Sequence, residues 1–122
     1  MLNIDLHCHS TVSDGTLTPT QLVKRAAMRG VSVLALTDHD DLDGLDEARR
    51  VASENDITFI NGVEISVTWR NRTLHIVGLG VDPKYSPLVQ GLEVIRNGRT
   101  TRGNKIAEEL DKSGIRGSLE GA

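Results

Sequence analysis

Two histidines one residue apart, His7 and His9, stand in the opening stretch Asp5-Leu6-His7-Cys8-His9-Ser10, and Asp14 follows in Ser13-Asp14-Gly15. In an extended chain successive side chains point to opposite faces, so Asp5, His7 and His9 share one face and Ile4, Leu6 and Cys8 the other. Two imidazoles on one face can grip one cation. The alternative is a pair of polar residues on a solvent-facing strand, and the remaining histidines weigh against it. His39 closes Val33-Leu34-Ala35-Leu36-Thr37-Asp38-His39-Asp40, an apolar run without polar alternation. Such a run fits a strand buried on both faces of a parallel sheet, which places ligands at its carboxyl end. Glu64 stands in Gly62-Val63-Glu64-Ile65-Ser66, where a buried carboxylate is costly unless paired or holding a metal. His75 is embedded in Leu74-His75-Ile76-Val77-Gly78-Leu79-Gly80. Taken singly, Glu64 and His75 could be hydrogen-bonded core residues. Together, His7, His9, Asp14, His39, Glu64 and His75 offer more nitrogen and oxygen ligands than one ion needs. With no thiolate among them, they accept manganese, iron or zinc. Cys8 faces away from the histidines; as the only cysteine it excludes an internal disulfide and reads as a small buried apolar residue.

The elements that must position these residues alternate between strand-like and helical segments, the pattern of parallel βαβ units. The first helix has Thr18 as N-cap, Pro19 at its first position, Gln21 completing a capping box and Gly30 just past its end. It covers one sheet face through Leu22, Val23 and Ala26. A second helix, from about Leu45 to Asn55, buries Leu45, Ala48 and Ala52 and leaves its arginines wet. Trp69-Arg70-Asn71-Arg72-Thr73 is expected to turn between the Glu64 and His75 strands as an antiparallel hairpin, with Trp69 a packing residue and not a base-stacking platform.

A third helical segment carries the apolar stripe Leu88, Leu92, Ile95, Ile106 and Leu110. At about 100° per residue, Arg99 and Arg102 fall on that stripe and are expected to face the protein. An inward guanidinium needs an anion, and its planar donors suit phosphate; pairing with a carboxylate is the alternative. Lys105 flanks the stripe within reach of the same anion. A kink and restart near Thr100-Thr101 would aim backbone amides there too, whereas Arg96, off the stripe, reads as a solvated charge.

The motifs Asp5-Leu6-His7-Cys8-His9-Ser10 with Ser13-Asp14-Gly15, Thr37-Asp38-His39-Asp40, Gly62-Val63-Glu64-Ile65 and His75, in this order, resemble the polymerase and histidinol phosphatase (PHP) superfamily of metal-dependent phosphoesterases. The compact spacing is most similar to the branch containing nucleoside 3′,5′-bisphosphate phosphatases and a 5′-to-3′ exoribonuclease. This resemblance implies an α/β fold, a distorted barrel of about seven strand–helix units holding up to three divalent ions, with manganese expected. It implies that His7 and His9 hold a first ion, that Glu64 bridges it to another, that Asp14 and His39 hold a second ion beside the substrate phosphate, and that His75 joins Glu64 on a third. The family draws two further histidines and an aspartate from a carboxyl-terminal half that this chain, ending at Ala122, does not supply. A closed strand–helix barrel needs about 250 residues, so the 122 residues are expected to form one truncated PHP domain, 1–122, the amino-terminal part of the barrel.

Two or three such ions would provide Lewis acidity, a hydroxide source and a clamp on entering and leaving oxygens. Asp14 and His39 are the expected catalytic and substrate-contacting groups, with Arg99, Arg102 and Lys105 neutralising phosphate. The expected reaction is removal of the 3′-phosphate from a nucleoside 3′,5′-bisphosphate, followed in rank by 5′-to-3′ cleavage of short 5′-phosphorylated RNA. An amidohydrolase-type C–N hydrolase also opens with alternating histidines, but commonly uses a modified lysine on a central strand, and these strands have none. An inactive metal-binding module is the non-enzymatic rival. Partners should be nucleotides or short oligonucleotides: a net charge of −3 offers no general basic surface for long duplexes. With no signal peptide and no membrane-length apolar run, a cytoplasmic location is expected.

Overall fold

A short apolar strand buried on both faces needs a partner along each edge. In the computed structural model, which describes residues 2–121, β1 (Ile4–Asp5) and β3 (Thr58–Trp69) flank β2 (Val33–Leu36) in parallel. The final strand, β4 (Arg72–Leu79), pairs antiparallel with β3, giving the order β1-β2-β3-β4. The α/β architecture and the hairpin are those expected from the sequence. Arg70 and Asn71 turn the hairpin with φ of 49° and 61°, the left-handed pair that a two-residue hairpin loop requires.

Helix α1 (Pro19–Met28) follows β1 and helix α2 (Leu45–Glu54) follows β2. Thr18 and Gln21 form the expected capping box, and Gly30, at φ 77°, lies just past the α1 terminus. Val23 from α1 and Leu45, Ala48, Val51 and Ala52 from α2 pack with Leu34, Leu36 and Ile57 into the core. Leu22 and Ala26 lie against it half-buried. Regular pairing of β1 stops at Asp5; beyond it, Thr37 donates its amide to the Cys8 carbonyl at 2.9 Å and keeps the histidine-bearing segment beside β2.

Three expectations for the outer elements need correction. Trp69 is 55% exposed, with the Arg70 guanidinium 4.4 Å from its ring, so it packs under a neighbouring cation and not into the core. Helix α3 runs unbroken from Ser86 to Lys112, so Thr100 and Thr101 do not restart it. Their hydroxyls instead donate to the Arg96 and Asn97 carbonyls one turn back. Only Leu92 of α3 is buried; Leu88, Ile95 and Leu110 are half-buried and Ile106 is exposed, so the apolar stripe is covered unevenly. A short α4 (Ser118–Gly121) follows. No helix among the described residues is long and apolar enough to cross a membrane.

The core predicts its own sensitivity. Leu36→Ala removes a fully buried side chain between the helices and the sheet, and should lower stability by about 2–5 kcal/mol, read as a reduced midpoint in urea unfolding with the slope unchanged.

Candidate metal centre

Backbone pairing continues past the end of β2 and places the first two site residues. Asp40 donates its amide to the Glu64 carbonyl and Glu64 donates its own to the Asp38 carbonyl, both at 3.0 Å, a parallel bridge that sets His39 beside Glu64. Asp38 is buried and reaches the opposite way. Its Oδ1 accepts from the Ser10 amide and the Ser13 hydroxyl and its Oδ2 from the Ser10 hydroxyl, each at 2.7 Å. These charge-assisted bonds offset the cost of burying the carboxylate and hold the loop of His7, His9 and Asp14 against β2. Gly15 closes that loop by donating its amide to the Ser10 carbonyl at 2.8 Å, and a Cβ there would collide with the His9 carbonyl. In the hairpin, His75 pairs with Ser66 and so lies on the Glu64 face of the sheet.

The side chains converge. His7 Nε2 lies 3.0 Å from Glu64 Oε1 and 3.2 Å from His9 Nε2, which is 3.6 Å from Glu64 Oε2. His39 spans the centre, with Nδ1 2.9 Å from Glu64 Oε2 and Nε2 3.3 Å from Asp14 Oδ2. The His9 and His39 rings stack at 4.5 Å, and the His75 ring stands edge-on to His39 at 5.2 Å. Three sets of donor atoms result, each within 4.8 Å: His7, His9 and Glu64; His9, Asp14 and His39; His39, Glu64 and His75. All six residues expected as ligands therefore occupy one cluster.

The donor chemistry fits divalent ions. His9 Nδ1 is buried without a hydrogen-bond partner, and its nearest carboxylate oxygen, on Asp14, is 3.9 Å away, beyond hydrogen-bond reach. Glu64 is buried among imidazoles. An orphaned ring nitrogen and a buried carboxylate are the groups a bound cation satisfies. The oxygen and nitrogen set without sulfur suits hard and borderline metals.

Across from the cluster, α3 forms the far wall of an open cavity of about 880 Å³. Asp14, His39 and His75 line one side; Arg99 and Arg102 line the other. Both arginines reach the cavity as expected, yet neither is inward in the sense of being buried. Arg99 is half-exposed, with Nη1 3.4 Å from Asp40 Oδ2, and Arg102 is exposed. Lys105 is exposed and lines neither this cavity nor a smaller one of about 400 Å³ beside Asp14 and His39. The unbroken helix carries it past the site. Arg96 is no free surface charge: its Nη1 donates to the Asp40 carbonyl at 2.7 Å and its Nε lies 4.0 Å from Asp41 Oδ2.

The clamp of Asp38 with Ser10 and Ser13, and Asp40 as a buried hub, are not among the sequence expectations. Their signal was visible as short polar residues interleaved with the histidines at a strand end. Cys8 behaves as read: its Sγ donates to the Ala35 carbonyl at 3.2 Å, and burial, aided by Asp5 and Asp38, pushes the thiol up to about 12. At pH 8 Cys8 should thus stay protonated and resist iodoacetamide in the folded protein, reacting only after denaturation; rapid alkylation of the native protein would contradict this. Asp38→Ala leaves three donors without their acceptor and should destabilise the protein by about 3 kcal/mol or more, with weaker divalent binding in a calorimetric titration.

The PHP domain family model matches residues 5–110. Along all 122 residues the chain is 52% identical to the 3′,5′-nucleoside bisphosphate phosphatase of Chromobacterium violaceum, of which it covers 43%. It is 50% identical over 121 residues, 97% of its length, to the 5′-3′ exoribonuclease of Haemophilus influenzae, again covering 43% of that protein. A solved structure of an amidohydrolase from Chromobacterium violaceum, with bound sulfate and no metal, is similar at a TM-score of 0.90 and 51% identity over 98% of this chain and 42% of that one. The chain spans less than half the length of these relatives. With its motifs, its strand order and its ligand cluster in agreement with the match over residues 5–110, the chain belongs to the PHP domain family.

Proposed function

We propose that this chain carries the metal-binding part of a phosphoesterase that removes the 3′-phosphate from nucleoside 3′,5′-bisphosphates. The observation behind this reading is a cavity with His39, Asp14 and His75 on one wall and Arg99 and Arg102 on the other. One wall suits the phosphate that reacts; the guanidiniums suit an anion farther out.

His7, His9 and Glu64 would hold one ion, Asp14 and His39 a second, and His75 with Glu64 a third; manganese is the proposed metal. When bound, such ions supply Lewis acidity and a water nucleophile at neutral pH. The protein's own groups orient the substrate. Asp14 and His39 face the cavity together, and the Asp14–His39 contact at 3.3 Å holds both groups where they can meet the reacting phosphate. Arg99 and Arg102 neutralise charge that the cluster does not reach, which matters most for a substrate with two phosphates. None of the strands among the described residues carries a lysine, so the C–N hydrolase reading lacks the residue it commonly uses.

A second reading, 5′-to-3′ cleavage of short 5′-phosphorylated RNA, is supported by the likeness to the Haemophilus influenzae exoribonuclease. In manganese buffer, phosphate should be released from adenosine 3′,5′-bisphosphate and not from adenosine 5′-monophosphate. Equal release from both would sink the bisphosphate reading. His39→Ala should cut turnover by at least about 100-fold, and wild-type rates in that variant would remove His39 from the chemistry.

A further inference from the structure

Asp40 is fully buried and adopts a left-handed backbone, φ 52°. Positive φ is uncommon outside glycine, and aspartate is among the residues that tolerate it. Two elements, β3 and α3, meet on Asp40. Its Oδ1 accepts from the Ser66 amide of β3 at 2.7 Å, and its carbonyl accepts from Arg96 of α3. Its Oδ2 is buried without a hydrogen bond, and Arg99 Nη1 lies 3.4 Å away. Arg99 lines both cavities that flank Asp14 and His39. A guanidinium has five donors, so a contact through one nitrogen leaves the rest of the fork for another anion.

We infer that Asp40 is a positioning residue: its buried carboxylate holds Arg99 at the cavity so that the guanidinium meets the substrate phosphate that is not hydrolysed. This rests on the bisphosphate reading above. Without the tether, an arginine on an exposed helix face samples many rotamers, and binding a phosphate must then order it. With the tether, the fork is already in place.

Calorimetric binding in metal-free buffer tests this without turnover. Adenosine 3′,5′-bisphosphate and adenosine 3′-monophosphate, which lacks the outer phosphate, are titrated into wild type, Asp40→Asn, Arg99→Gln and the double variant. Wild type should prefer the bisphosphate. Asp40→Asn, which can still accept from Ser66, should weaken bisphosphate binding about tenfold and leave the monophosphate unchanged. In the Arg99→Gln background it should add nothing, because Asp40 acts through Arg99. A wild type without preference would defeat the bisphosphate reading and this inference with it. Preference retained in Asp40→Asn, or additive losses in the double variant, would overturn the role of Asp40 alone. Guanidinium resonances of wild-type Arg99, assigned by their loss in Arg99→Gln, should show hindered rotation; free rotation would overturn the tether even if Asp40→Asn fails to fold.

Discussion

The buried carboxylate of Asp38 is the contact on which the candidate site depends. It sits one residue before His39 and binds the backbone and hydroxyl of Ser10 and the hydroxyl of Ser13. Those two serines bracket the loop between His9 and Asp14. A single side chain therefore fixes three cluster residues from the first loop relative to one at the end of β2. Because β1 contributes only Ile4 and Asp5 to the regular ladder, sheet pairing alone could not hold His7 and His9 in place. The energy of the clamp comes from charge-assisted bonds in a dry setting, where each is stronger than in water and its loss more costly.

The change from parallel to antiparallel pairing does a second job. Parallel order brings the carboxyl ends of β1 and β2 to one edge, and the His39–Glu64 bridge extends that edge to β3. The hairpin then folds β4 back along β3, so His75 reaches the cluster from a strand running the other way. Helix α3 crosses in front and is pinned by Arg96 and Arg99 to Asp40, which closes the cavity opposite the histidines.

Much of this was legible in local patterns. Alternation of His7, Cys8 and His9 places the imidazoles and the thiol on opposite sides, and the structure keeps them there. Thr18, Pro19, Gln21 and Gly30 carry their own helix geometry, since capping depends on residues within one turn. What escaped was decided at a distance. The same helical stripe that buries Leu92 carries Ile106 into solvent, because periodicity specifies a face and not whether anything covers it. Arg96 looked solvated until a carbonyl 56 residues away became its acceptor. Trp69 read as a packing residue, yet at the hairpin tip it is exposed, with the Arg70 guanidinium over its ring.

Glu64 carries a consequence in the language of linkage. Its Oε1 faces His7, its Oε2 faces His9 and His39, and it belongs to two of the donor sets. Two ions held by this one carboxylate would not bind independently. Whatever factor the first changes in the affinity for the second, the second must change in the affinity for the first. The occupancy of such a centre would be a property of the pair, governed by a side chain that belongs to neither site alone.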